Sequence, residues 1–145
     1  KMDMLMYIAL GLTDRTNLTK KREKEIYLSI LEAATYLIQA KKITLRFFNE
    51  KISKTIKVIS FDGINYHSYI KNETMLDYEK CNYICKIKNV IMAFSFKKIN
   101  NIRCALIASD YNLEQGNDLK NQEILKFLAS QALFLYCYAE KCNPS

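Results

Sequence analysis

The sequence predicts an α+β domain in which an antiparallel sheet of about five or six strands carries its N- and C-terminal helices on one face. Three observations predict it. The apolar period changes from 3.6 to 2 near residue 43, alternating segments then recur in hairpin-like pairs, and an amphipathic stretch of more than 20 residues closes the chain.

The elements follow in order. Residues 2–12 place Met4, Leu5, Ile8 and Leu12 on one stripe of a short helix, which Gly11 and the polar run 13–17 interrupt. Asn17 or Thr19 can cap a second helix reaching about Gln39. Glu23 and Glu25 lie in its opening turns, and its apolar face is Tyr27, Ile30, Leu31, Ala34, Leu37 and Ile38. Ile43, Leu45 and Phe47 then alternate with Thr44, Arg46 and Phe48 as a strand, and 55–61 form its hairpin partner, ending at the turn dipeptide Asp62-Gly63. The pattern weakens from 64 to 88, with a short helix expected over 73–80 and a strand over 83–87. Strands over 90–96 and 102–109 are apolar on both faces, so the sheet is covered on both sides, or covered on one and lined by a pocket on the other. Residues 112–117 read as a loop. The closing helix, 118–141, carries the stripe Leu125, Leu128, Ala132, Leu135, Ala139 and a second row, Phe127, Phe134 and Tyr138, free for a second helix or another subunit.

Composition narrows the classes. The chain has 145 residues, half of them hydrophobic, with 3 Gly and 1 Pro. That balance excludes a disordered or collagen-like chain, and no apolar run approaches the roughly 20 residues of a membrane span. The net charge of +7 is mostly scattered Lys. With Arg only at 15, 22, 46 and 103, it does not make a nucleic-acid surface, which favours Arg. Five Cys (81, 85, 104, 137, 142), an odd number without a secretory segment, predict reduced thiols and a cytoplasmic location. The chain opens on Lys1, as a piece cut from a longer protein does.

Few residues invite chemistry. His67 is the one histidine, and its polar neighbours read as a solvent-facing loop; its functional readings are a haem ligand or a pocket wall. With Cys81 and Cys85 it matches no standard zinc spacing. Three glycines cannot build a phosphate loop, and one His without a strained Gly-flanked Ser makes no catalytic triad. Cys104 sits mid-strand among apolar residues, where a buried thiol is ordinary.

The runs Ile30-Leu31-Glu32-Ala33-Ala34, Ile43 through Glu50, Ala93 through Phe96, Cys104 through Ser109, and above all Leu128-Ala129-Ser130-Gln131-Ala132 in the closing helix, resemble a GAF domain. The resemblance divides the chain into a signalling helix and connector, 1–18, and a GAF-like domain, 19–145. It implies a cytoplasmic, non-enzymatic sensor of signal transduction that dimerises through Met4, Ile8, Leu12, Phe127, Phe134 and Tyr138 and biases an attached output domain. That output would be a histidine kinase or a cyclic-dinucleotide synthase or phosphodiesterase. It also implies a small-molecule pocket between the sheet and the 64–88 connection, lined by Phe48, Phe61, Tyr66, His67, Tyr69, Cys85 and Phe94, with no cofactor specified. The cyclic-nucleotide Asn-Lys…Phe…Asp-Glu signature and a bilin-attaching Cys-His pair are missing, and the connection is short, which predicts a small or closed pocket. One branch of the family reduces free methionine sulfoxide through cysteines, which gives Cys85 and Cys104 as an enzymatic alternative. A PAS-like interaction scaffold is the third reading; it does not place its closing helix beside the helix that precedes strand one.

Overall fold

The computed structural model describes residues 18–75 and 78–142, so the expected Met4, Ile8 and Leu12 stripe lies outside the described residues. Helix α1 (Lys20–Ile38) leads into β1 (Lys42–Asn49) and β2 (Lys54–Ile59). A connection with two short 3-10 turns (Asn72–Met75 and Tyr78–Cys81) precedes β3 (Ile84–Ile87), β4 (Val90–Phe94) and β5 (Ile102–Ser109). The short helix α2 (Leu113–Asn117) and the long helix α3 (Leu119–Cys142) complete the fold. The sheet is antiparallel throughout, in the order β2-β1-β5-β4-β3.

Thr19 begins α1, its hydroxyl accepting the Arg22 N–H at 3.0 Å, and Gln39 ends it in the left-handed region. The central pair β1–β5 runs in register from Lys42 opposite Ser109 to Asn49 opposite Ile102. Alternation along these strands makes two cores. On one face Ile43, Leu45, Phe47, Ile91, Cys104 and Leu106 pack with Leu31 and Ala34 of α1 and Leu125, Ala132 and Leu135 of α3. The Phe47 ring meets Tyr27 at 5.6 Å and Tyr136 at 4.8 Å. On the other face Phe48, Met92, Phe94, Ala105 and Ile107 pack beneath Ile70, Met75 and Tyr78 of the connection. The sheet is thus covered on both sides, and α1 lies against α3 on the helix side.

Two sequence expectations need correction. The helix expected over 73–80 is replaced by the pair of 3-10 turns; Asn72 and Met75, three apart in the first, both turn inward, which 3-10 geometry achieves in a single turn. Residues 112–117 are not all loop, because Asn112 caps α2 by accepting the Gln115 N–H at 2.9 Å. Gly116 belongs there for closeness: a Cβ would run into the Tyr111 ring.

Candidate functional site

Strand alternation sends Thr44 and Arg46 to the connection side, opposite Ile43, Leu45 and Phe47. Arg46 is buried, and its guanidinium donates to the Ile70 carbonyl at 2.6 Å, the His67 carbonyl at 2.5 Å and Asn72 Oδ1 at 3.3 Å. Among the described residues no carboxylate lies within ion-pair distance of it, and burial pulls its pKa below the ordinary value. Two residues further along the β1–β5 pair, opposite Phe48, the buried Arg103 donates to Glu50 Oε1 at 2.5 Å and to the Ser95 carbonyl, with Tyr78 over its guanidinium at 4.4 Å. The Tyr78 hydroxyl donates to the same Glu50 oxygen at 2.6 Å, and burial, then that bond, raise its pKa. Two arginines therefore clamp the connection onto the sheet.

His67 is fully buried rather than a solvent-facing loop residue. Its Nδ1 is 2.8 Å from Thr44 Oγ1, and its Nε2 is 2.9 Å from Ser109 Oγ. Two hydroxyls that can each donate or accept satisfy the neutral ring in either tautomer. Burial, with Arg46 and Lys42 adding positive charge against the opposing Asp110, pushes its pKa down to about 4.

The other expected pocket residues do not converge. Phe48 and Phe94 are fully buried in the second core, and Cys85 packs half-buried against it. The space beneath the connection is therefore filled by the protein's own side chains. Phe61 is half exposed beside α1, while the half-buried Tyr66 donates its hydroxyl to Asp62, whose carboxyl is held below its ordinary range chiefly by that bond. Tyr69 faces outward. Of the expected dimer row, Phe127 is exposed, whereas Phe134 and Tyr138 stack at 6.5 Å and pack half-buried on the helix core. Cys85 and Cys104 belong to opposite faces of the sheet, and burial pushes the Cys104 thiol well up, away from the thiolate a nucleophile needs.

The open space lies at the sheet end. A cleft of about 460 Å³ is bounded by Lys42 of β1, Ser109 and Asp110 at the end of β5, the β3–β4 turn from Ile87 to Val90, and Tyr69, Ile70 and Thr74 of the connection. Its Ser109 is the residue that holds His67 Nε2. Lys88 and Asp110 on its rim have φ of 54° and 53°, left-handed values that are uncommon for non-glycine residues and often found at binding sites. A larger groove, about 610 Å³, separates α1 from the edge strand β2, with the charged Lys20, Glu23, Lys24, Lys57 and Asp62 beside Tyr27, Val58, Ile59 and Phe61. The sheet-end cleft is the one that connects to the buried polar chain.

Of the expected pocket residues, Tyr69 borders this cleft and His67 stands behind it, bonded to Ser109. Lys42, Thr74, Lys88, Asn89, Ser109 and Asp110 were not among the expected residues, and the one local signal for them is the polar Lys88-Asn89 pair between two apolar strands. Among the described residues no group of three His, Cys, Asp or Glu side chains is placed to hold a metal ion, and no helix is long and apolar enough to cross a membrane. The sequence matches no protein-family model, no curated protein and no solved structure.

Proposed function

We propose that this chain is a GAF-like regulatory domain that senses a small molecule in the sheet-end cleft and passes its occupancy to the terminal helices. The observation that carries this reading is where the cleft sits. Asp110, on its rim, accepts the Lys41 N–H through its carbonyl at 3.1 Å, and two residues on the Asn112 N–H donates to the Ile38 carbonyl at 2.8 Å while Asn112 caps α2. The end of β5 thus meets the last turn of α1 and the approach to α3 within three residues. A ligand that repositions Ser109 or Asp110 acts on both terminal helices, and through Ser109 on His67 and Thr44.

The side-by-side packing of α1 and α3 supports a GAF-like rather than a PAS-like arrangement. On this reading the chain works as a homodimer through its terminal helices, joined to an output domain in a longer cytoplasmic protein. The separation of Cys85 from Cys104 by the sheet weighs against the sulfoxide reductase alternative.

A thermal-shift screen of polar metabolites tests the reading. Thr74 is exposed on the cleft wall, so Thr74→Trp fills the cleft without disturbing the core. At least one compound is expected to raise the melting temperature of the parent chain and not that of Thr74→Trp. A screen in which every compound treats the two proteins alike would overturn it.

A further inference from the structure

We infer that the sheet-end cleft takes a small carboxylate with an apolar body. This rests on the reading of the cleft as the sensory site and names what that site selects. The charges around it do not cancel. Lys42 is 3.7 Å from Asp110 and neutralised by it, but among the described residues no carboxylate lies within ion-pair distance of Lys88. Behind the wall, the buried Arg46 holds the carbonyl of Ile70, itself a wall residue. Among the described residues this leaves one exposed and one buried cation in excess. Beside the buried cation, His67 is kept neutral chiefly by burial, with Arg46 and Lys42 adding to that effect and Asp110 opposing it.

The rest of the wall limits what the anion carries. Ile70, Ile87 and Val90 offer an apolar surface beside Lys88, and a volume of about 460 Å³ suits a single-ring molecule. A polyphosphate is a poor match. Its recognition uses guanidinium forks or a nest of backbone N–H groups, whereas the Arg46 fork is taken up by protein acceptors and the rim cation Lys88 is a point charge on a flexible stem. A carboxylate at Lys88 with its apolar body along Ile70, Ile87 and Val90 matches the charge and the apolar wall of the cleft.

The test is a titration of ¹⁵N-labelled chain at pH 7 with phenylacetate and with its neutral counterpart phenylacetamide, followed by amide chemical shifts. Lys88→Asn is the informative variant, because Asn tolerates the left-handed backbone that Lys88 adopts and so removes charge without adding strain. Phenylacetate is expected to move the Ile70, Lys88 and Ser109 amides saturably and to bind about tenfold more tightly than phenylacetamide. In Lys88→Asn that preference is expected to vanish. Equal affinity for the two probes, an unchanged preference in Lys88→Asn, or no saturable shift with phenylacetate would each overturn the inference. Cleft shifts from phenylacetamide alone would overturn the choice of an anion and leave the sensory cleft standing. A failed Thr74→Trp comparison removes the cleft itself.

Discussion

Replacing Arg46 with Met keeps the length and apolar stem of the side chain and deletes the guanidinium, so it isolates what the buried cation does. Two acceptors lose their donor, the Ile70 carbonyl and Asn72 Oδ1, while the His67 carbonyl keeps the Ile70 N–H. Each unsatisfied buried acceptor costs about 1–3 kcal/mol. The desolvation cost of the guanidinium, several kcal/mol, disappears with it and offsets much of that sum. The net expectation is a loss of about 3 kcal/mol, at the low end of what breaking a buried charged network costs. In a domain of this size that corresponds to a melting temperature lower by about 10 °C. Arg46→Lys retains charge but not the fork that reaches two carbonyls at once, and is expected to lose about half as much. Circular dichroism on heating gives the global change. Hydrogen exchange gives its location: the Ile70 amide, which donates to the His67 carbonyl at 3.0 Å, should lose protection first. If Arg46→Met melts within 2 °C of the parent chain, the arginine is only filling space and the clamp argument fails.

The remaining predictions concern protonation and assembly. His67 binds a proton near pH 4 when folded and near 6.5 when unfolded, so the unfolded chain is the better proton binder between those values; stability is full above pH 6.5 and falls by up to about 3 kcal/mol as pH drops to 4. Urea unfolding at stepped pH should show this slope in the parent chain and a flatter one in His67→Gln, and equal slopes would remove His67 as the cause. Sedimentation at micromolar concentration should show a dimer, converted toward monomer by Phe127→Glu with little change in melting temperature because Phe127 is 41% exposed, whereas a parent chain that is strictly monomeric would defeat the homodimer.

The fold was legible where local pattern and burial coincide. Alternation marked β1, β5 was readable as an apolar run because its two faces meet two separate cores, and the α1 stripe was readable because one helix face meets the sheet. The polar interior was not legible, for a physical reason: its partners are far apart in sequence. His67 meets Thr44 across 23 residues and Ser109 across 42, and Arg46 meets Asn72 across 26. A histidine among Asn, Tyr and Ser reads as solvated until the strands that satisfy it are in place. Arginine is rarely buried without a carboxylate, so nothing near Arg46 in sequence announces that carbonyls of the connection surround it. The turns at 72–81 were hidden in the same way, since their shape follows from Met75 and Tyr78 reaching the sheet rather than from helix propensity.

The two arginine clamps bear on which parts of the cleft can move. Arg46 fixes the connection at His67, Ile70 and Asn72, and Arg103 with Glu50 fixes it again at Tyr78. Two walls of the cleft lie outside those clamps: the Lys88-Asn89 turn and the end of β5 at Ser109 and Asp110. Lys88 and Asp110 are also the cleft residues held at left-handed φ, where a non-glycine backbone has another region to relax into. On the proposed reading, a ligand seated between them would meet the clamped connection on one side and, on the other, the Lys88-Asn89 turn and the end of β5, where Ser109 holds His67. Its displacement is directed into the last residues of β5, whose next hydrogen bonds, to Lys41 and Ile38, belong to the end of α1. On the proposed sensory reading, clamping the roof would keep a ligand's displacement from being absorbed there and leave the terminal helices as its outlet.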